Sequence, residues 1–224
     1  MRDLTIWGRR NAFNVQKVLW LLDELALDYT QRDAGGAWGG LTSPEFLAMN
    51  PHGRVPVLQD GDLAVWESHA ILRYLAARYA HPPEPSNAHA QWWPAQPADR
   101  ACIDAWMDWS LASLQPDFMR LFWLFYRTPE LQRERQKIAL AVAACDAHFR
   151  RLELELAARP YLAGDACSLA DIAAGTTLYR YFELGVPVVR GTNVLAWYAR
   201  LAARPAFRTN IMTPFADLLG RLDY

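Results

Sequence analysis

The sequence has few cysteines, no excess of charge of either sign and no long hydrophobic run. Three cysteines occur in 224 residues and none forms a C-x-x-C pair, so we expect a reducing compartment rather than a disulfide framework. The formal net charge of −1 gives no overall field that would attract nucleic acid or an anionic membrane. No apolar stretch approaches the roughly 20 residues that span a bilayer, and the N-terminus lacks a signal-peptide core. We therefore expect a soluble cytoplasmic protein that binds neither nucleic acid nor a membrane.

Motifs for metal and phosphate binding are also missing. The glycine-rich stretch 35–40 lacks the spacing and the lysine of a phosphate-binding loop. His81 and His89 have no H-E-x-x-H pattern or cysteine partners, so no metal site is expected. No Ser-His-Asp arrangement can be placed either. Chemistry that depends on a metal, a nucleotide or a protein hydroxyl triad is therefore not indicated.

The first 80 residues alternate strand-like and helix-like patterns. Apolar residues recur at helical spacing after a short β-type run, and Asp60-Gly61 is typical of a hairpin turn. The order predicted is β-α-β-α-β-β-α. The predicted strands are 4–7, 27–31, 55–59 and 63–66, and the predicted helices are 14–26, 44–49 and 68–79.

Beyond residue 80 the strand signals mostly vanish. The stretch 80–98 holds five prolines with almost no periodicity, which is typical of a linker. Ser168 and Asp171 form a capping-box-like pair at a helix start. The predicted helices run from about Ile103 to an interruption at Pro116, and over 138–156, 169–182 and 194–203. We predict a mixed domain at 1–80, a linker at 81–97 and an all-helical domain at 98–224.

Two motifs carry a family resemblance. NPHGRVPVL at 50–58 is followed by WESHAILRYLA at 66–76, and the chain also has NVQKVLWLLDEL, SLADI and WYARLAARPAF in order. In this combination the chain resembles the cytosolic glutathione transferases over its whole length. The resemblance implies an α/β plus all-α fold: a thioredoxin-like N-terminal domain followed by an all-helical C-terminal domain. It also implies glutathione as co-substrate, no metal, and a homodimer.

The resemblance implies a peptide-binding bend at Val55-Pro56. In the family the matching proline is cis, which an X–Pro bond adopts at a cost of roughly 0.5–1 kcal/mol. The cysteinyl backbone of glutathione would then pair with the main chain of Val55, as an added strand does. On the sequence alone, Pro56 could also be an ordinary strand-edge proline.

Four further residues are implied to bind the two ends of glutathione. Ser68 would meet the γ-glutamyl carboxylate at a helix N-terminus, and Glu67 would hold the γ-glutamyl ammonium or support the turn. Arg54 would pair with the glycyl carboxylate, with His52 as a weaker candidate for the same end. The alternative for Ser68 is a simple N-cap.

The thiol needs an activating donor, and the usual hydroxyl residue is absent. A free thiol has a pKa near 8.5, and one charge-assisted hydrogen bond supplies about 1.5–3 kcal/mol, enough for one to two pKa units. Serine-type relatives carry a hydroxyl where this chain has Ala12. Some bacterial relatives have a Thr/Ser-x-Asn arrangement, and Asn14 matches that Asn.

We therefore predict Asn14 as the catalytic thiolate donor, aided by backbone N–H groups near Ala12 and Phe13. Asn11 and Arg9 or Arg10 are substitutes. The alternative is that Asn14 is only the N-cap of the first helix.

The helical domain is expected to supply an apolar pocket for the second substrate. Ten tryptophans and a run of aromatics near the start of this domain favour such a pocket, although most should be core residues. Phe13 and Trp106 are the candidates chosen. Asp104 and Asp108 are possible contacts for the glutathione ammonium, or members of a solvated helix face.

The resemblance thus predicts a detoxification-type transferase in which glutathione thiolate attacks a small hydrophobic electrophile or a peroxide. Two alternatives stay open. One is glutathione-dependent isomerase or lyase chemistry with the same bound thiolate. The other is a non-catalytic glutathione-binding protein, which Ala12 keeps in consideration because the activating hydroxyl is missing.

Overall fold

The N-terminal part is built around a four-stranded mixed sheet. The computed structural model describes residues 4–80 and 87–222; the start of the predicted linker, with His81, lies outside these residues. The sheet order is β2-β1-β3-β4, with β1 and β2 parallel and the other two pairs antiparallel. The strands are β1 (Leu4–Trp7), β2 (Thr30–Arg32), β3 (Val57–Asp60) and β4 (Leu63–Trp66).

Helices cover both faces of this sheet, as the alternation of side chains along the strands requires. Ile6 faces the main core, whereas Trp7 packs edge-on against Phe46 of α2 on the other face. The helices are α1 (Phe13–Glu24), α2 (Pro44–Met49) and α3 (Ser68–Tyr79). The predicted element order and thioredoxin-like fold are confirmed.

Two predicted strands began too early. β2 starts at Thr30 rather than residue 27, since Leu27 belongs to the turn that follows α1 and bonds back to the carbonyl of Leu22. β3 starts at Val57 rather than residue 55, because Pro56 has no N–H to donate and its peptide bond is cis.

The second part of the chain is helical, and its first long helix does not stop at Pro116 as predicted. A π-helical turn, Ser110–Leu114, joins α4 (Pro97–Trp109) to α5 (Gln115–Leu121). A second π-helical segment continues to Arg127. Wider π turns tolerate a missing i→i−4 hydrogen bond, so the backbone stays helical through the proline.

Four further helices follow in the described part of the chain, of which α7 is the most buried. They are α6 (Arg135–Glu155), α7 (Leu169–Glu183), α8 (Thr192–Ala202) and α9 (Pro205–Asn210). The last was not predicted; its six residues begin at Pro205, which occupies a first-turn position. Ser168 and Asp171 form the predicted capping box at the start of α7.

The two parts share one hydrophobic core. Trp20 of α1 is fully buried and packs edge-on against Phe207 of α9. Glu24 at the end of α1 accepts two 2.6 Å hydrogen bonds from the Arg204 guanidinium. The second half of α1 is therefore held by contacts with the C-terminal part of the chain. Within the described ranges, no helix combines the length and apolarity needed to cross a membrane.

Candidate active site

The bend before β3 exposes a pair of unused main-chain groups. The Val55–Pro56 peptide bond is cis, as the resemblance implied. Among the described residues, none bonds to the N–H or the C=O of Val55, whereas the next residues enter the sheet ladder. Gly8 approaches this bend closely: a Cβ there would lie 3.0 Å from Cβ of Val55 and 2.5 Å from the Val15 side chain. The bend and the start of α1 are thus adjacent.

Asn50 fixes the loop that leads into the bend. It is 2% exposed; its side chain donates to the Arg54 carbonyl at 2.8 Å and accepts from the His52 N–H at 3.0 Å. The Arg54 guanidinium is exposed and has no partner among residues that the structure describes. The His52 ring packs edge-on against Trp66 at 5.0 Å, so it lies on the β4 side of the loop.

Glu67 and Ser68 form the start of α3 with an unusual backbone. Glu67 has φ 68° and ψ 118°, a conformation that costs energy for a residue with a Cβ and that clusters at functional sites. Its side chain is exposed, whereas Ser68 is 2% exposed. The first intrahelical hydrogen bond runs from Ile71 to the Glu67 carbonyl. The N–H groups of the first turn are therefore available to an anion.

The start of α1 differs in one respect from the prediction. The N-cap is Ala12, with α1 beginning at Phe13, so the alternative that Asn14 is the N-cap is wrong. The Ala12 N–H donates to the Arg9 carbonyl at 3.0 Å, and the first intrahelical bond is from Gln16 to Ala12. The N–H groups of the first helical turn are open, but that of Ala12 is not.

The side chains of Asn11 and Arg10 turn towards the C-terminal segment. Asn11 donates to Asp217 at 3.1 Å. Arg10 donates to Asn210 at 3.0 Å and to Gln31 at 3.3 Å. These contacts occupy two of the three proposed substitutes for Asn14, and they fix the loop before α1.

Asn14 belongs to a partly buried polar network that was not predicted from the sequence. Its Oδ1 accepts from Nε2 of Gln115 at 3.1 Å, and Oε1 of Gln115 accepts from Nζ of Lys17 at 2.6 Å. Nζ of Lys17 also lies 3.1 Å from Nε2 of His69. One signal was present in the sequence: Lys17 stands one turn after Asn14, in the middle of the apolar residues of α1.

Burial perturbs both basic groups of this network. Desolvation lowers the pKa of Lys17 to about 7, against the opposing effect of the Glu67 carboxylate. Burial, and then the charges of Lys17 and Arg73, lower the pKa of His69 to about 2. His69 is therefore neutral at neutral pH, while Lys17 is close to its midpoint.

Aromatic residues line one side of the start of α1. Phe13, 7% exposed, stacks at a tilt on Phe118 with ring centroids 5.5 Å apart, and Phe118 meets Phe122 at 6.0 Å. Phe122 in turn contacts Phe215 of the C-terminal segment. Trp106 does not join them: its ring packs against Trp109 and beneath the Arg159 guanidinium, which follows α6.

Asp104 and Asp108 lie on a solvated face of α4, with side chains 39% and 68% exposed. Both bind Arg73 of α3, at 2.5 Å and 2.6 Å, and so connect α3 to α4. Among the cysteines, Cys102 is exposed while Cys145 and Cys167 are buried, and burial raises the pKa of both buried thiols. Residues 4–80 and 87–222 contain no cluster of His, Cys, Asp and Glu suited to a metal ion.

Comparisons with known proteins agree with this architecture. Residues 2–77 match the family model "Glutathione S-transferase, N-terminal domain" and residues 114–205 match "Glutathione S-transferase, C-terminal domain". Glutathione S-transferase GstB of Escherichia coli strain K12 is 39% identical over 94% of this chain and 99% of its own length. Glutathione S-transferase 4 of Zea mays is 33% identical over 86% of this chain and 84% of its own.

A solved structure is similar over almost the whole chain. It is the theta class glutathione S-transferase of Xanthomonas axonopodis pv. citri with glutathione bound. It is 42% identical, with a TM-score of 0.87, and the match covers 96% of this chain and 99% of that one. The chain belongs to the glutathione S-transferase family.

Proposed function

We propose that this chain is a glutathione transferase that binds glutathione between the Val55–Pro56 bend, the start of α3 and the start of α1. The observation that carries the proposal is the main chain of Val55, whose N–H and C=O have no partner among the described residues. An extended peptide satisfies both groups at once by β-type pairing. The Xanthomonas relative, similar throughout, has glutathione bound.

Polar and charged groups that suit the two ends of the tripeptide lie on either side of the Val55 main-chain groups. The γ-glutamyl carboxylate is directed to Ser68 and the open N–H groups of α3, where a helix N-terminus favours an anion. The exposed Glu67 carboxylate faces the γ-glutamyl ammonium. Arg54 is the cation for the glycyl carboxylate, and His52, against Trp66, lies on the same side of the loop.

The thiol then lies at the start of α1, next to Asn14. The Asn14 side-chain N–H and the open N–H groups of the first turn donate to the thiolate and stabilise it over the thiol. The thiolate forms a C–S bond to an electrophilic carbon while the leaving group departs with the bonding electron pair. Phe13 and Phe215 supply the apolar side on which a small hydrophobic electrophile would lie, with the fully buried Phe118 packed behind Phe13. Trp106, on the α6 side, is not part of this proposal.

One observation favours a second function, that of a glutathione-binding protein without transferase activity. Ala12 has no hydroxyl, and its N–H is already bonded to the Arg9 carbonyl. Thiol activation therefore depends on Asn14 and on backbone groups from Phe13 onward.

The test is a titration of the ultraviolet thiolate absorbance of bound glutathione, with calorimetric affinities for glutathione and S-methylglutathione. We expect binding of both ligands and a bound-thiol pKa at least about one unit below the free value near 8.5. Asn14→Ala should return the bound-thiol pKa towards 8.5 without lowering the affinity for S-methylglutathione. Binding with an unshifted thiol supports the second function, and absence of binding of both ligands contradicts the proposal.

A panel of aryl halides, epoxides and organic peroxides, assayed with glutathione, separates the reaction classes. Activity that consumes glutathione without forming a conjugate identifies peroxide reduction. Turnover of a glutathione adduct with no net consumption of thiol identifies isomerase or lyase chemistry.

A further inference from the structure

We infer that Lys17 and Gln115 are positioning residues that set the direction of the Asn14 amide, so that its N–H groups face the thiol of glutathione. This inference deepens the proposed function and rests on it. It concerns residues on α1 and α5, which are 98 positions apart in the sequence.

The direction of each amide follows from Lys17. In its protonated form Lys17 has donors and no acceptor, so Gln115 then presents its oxygen to Nζ, at 2.6 Å. The amide nitrogen of Gln115 is then the atom left for Asn14, and it donates to Oδ1 at 3.1 Å. With Oδ1 engaged, Nδ2 of Asn14 faces the opposite way. Among residues 4–80 and 87–222 nothing accepts from it.

Burial of Lys17 makes a reversal of the Gln115 amide unfavourable. Lys17 is fully buried, and its remaining polar neighbour is His69, whose Nε2 accepts from Nζ while the imidazole is neutral. A reversed Gln115 would bring its own N–H groups against Nζ, which leaves buried donors without acceptors. While Lys17 is protonated, the contacts of Gln115 therefore favour one direction of its amide.

The backbone of the helical part brings Gln115 to α1. The π-helical turn Ser110–Leu114 carries one more residue than a regular turn, which rotates the following side chains by about 100° relative to an unbroken α-helix. Gln115 is the first residue after this turn and precedes Pro116. π turns occur often at functional sites, and here the turn supplies the donor that orients Asn14.

The decisive variant is Gln115→Glu, which keeps the shape of the side chain and removes its N–H groups. A carboxylate accepts from Lys17 and also from Nδ2 of Asn14, so it would turn the Asn14 amide inward. We expect the thiol pKa of bound glutathione to rise by about one unit. At a pH below this pKa, the fraction of thiolate then falls about tenfold. The affinity for S-methylglutathione, which has no thiol, should stay within about twofold. Gln132→Glu, the same change at an exposed position of the helical part, should leave both quantities unchanged.

A double-mutant cycle separates orientation from the direct effect of the new charge. If Gln115 acts through Asn14, Gln115→Glu has no further effect on the bound-thiol pKa in an Asn14→Ala background. An equal rise in both backgrounds overturns the inference, because the charge then acts on the thiolate directly. If Gln115→Glu does not fold, Gln115→Met removes the same hydrogen bonds without charge and is expected to raise the pKa in the same direction, to a smaller extent.

The outcomes also distinguish this inference from the proposed function. If Asn14→Ala raises the bound-thiol pKa and neither Gln115 variant does, the positioning role is wrong and the transferase assignment stands. If Asn14→Ala itself leaves the pKa unchanged, Asn14 is not the donor, and the positioning role fails with it.

Discussion

At the scale of single residues, Ser68 offers the most direct test of the glutathione site. It is buried at the start of α3, and no described residue accepts from or donates to its hydroxyl. We expect Ser68→Ala to weaken glutathione binding about tenfold, since one hydrogen bond to a carboxylate contributes about 1.5–3 kcal/mol, partly replaced by water. Isothermal titration calorimetry measures this loss.

The matched control is Ser43→Ala. The Ser43 hydroxyl caps α2 by accepting from the Phe46 N–H at 3.2 Å, on the face of the sheet opposite to α1. Its loss should lower stability by about 1 kcal/mol and leave the glutathione affinity unchanged. Equal affinities of the two variants would contradict the role of Ser68.

Lys17 should make stability depend on pH. Its pKa is lowered from 10.5 in the unfolded chain to about 7 by burial, so between these values the unfolded state binds more protons and stability rises with pH. Lys17→Met removes this dependence. We therefore expect the stability of the wild type to rise relative to Lys17→Met between about pH 7 and about pH 9, measured by urea unfolding.

The pKa of His69, lowered to about 2, does not interfere in the part of this window above about pH 7.5. His69 is neutral in both the folded and the unfolded states above about pH 7.5, because its ordinary pKa is near 6.5. A difference between wild type and Lys17→Met that stays constant with pH would show that Lys17 keeps its ordinary pKa, and would contradict its complete burial.

Residues whose role follows from a short sequence motif could be predicted, whereas those whose role depends on a distant contact could not. The cis bend at Val55-Pro56 and the buried Ser68 follow from a motif whose residues are close in the chain. Gln115 could not be found in this way, because its role depends on a contact with Asn14 across 101 positions. The contacts of Trp106 with Trp109 and the Arg159 guanidinium could not be predicted for a similar reason.

At the scale of secondary structure, the start of α7 is held by a single buried carboxylate. Asp171 accepts from Leu162 N–H, Trp197 Nε1, and the N–H and Oγ of Ser168, at 2.9–3.0 Å. Burial raises the pKa of Asp171, and these hydrogen bonds oppose that rise. The carboxylate therefore joins the helix start to α8 and to the preceding loop.

We expect Asp171→Asn to lower the free energy of unfolding by about 3 kcal/mol or more. The amide brings two N–H groups against donors that need an acceptor, in a site without water to replace them. Chemical unfolding followed by circular dichroism measures the loss. Asp165→Asn, the same change at an exposed position, should cost less than about 0.5 kcal/mol; similar losses in the two variants would contradict this account.

The ends of the helices show where tertiary packing overrides the conformational preference of a single residue. The capping box at Ser168 was predicted correctly because the cap and its partner are three residues apart. Pro116 was read as a helix end, yet the helix persists because the π turn before it accommodates the missing N–H. Proline propensity is a local penalty of about 3 kcal/mol, and packing of α5 against α6 and α7 outweighs it.

At the scale of the whole molecule, the active-site helix α1 depends on a contact between the two parts of the chain. Glu24 at its C-terminal end accepts from Nε1 of Trp20 and from two atoms of Arg204, in a paired geometry at 2.6 Å. The hydrogen bond with Glu24 raises the pKa of Arg204, although partial burial opposes this. The side chains are 11% exposed for Glu24 and 27% for Arg204, so solvent screens this ion pair only in part.

Arg204→Met therefore tests whether the two parts fold as one unit. The substitution keeps the apolar stem but leaves the Glu24 carboxylate with Trp20 as its one remaining side-chain donor among the described residues. We expect the free energy of unfolding to fall by about 1–3 kcal/mol, with one transition seen by both tryptophan fluorescence and circular dichroism. Lys137→Met breaks the exposed Lys137–Glu134 pair and should cost less than about 0.5 kcal/mol. Two separate transitions in the Arg204 variant would mean that the shared core around Trp20 does not couple the parts, and that α1 is held by the sheet alone.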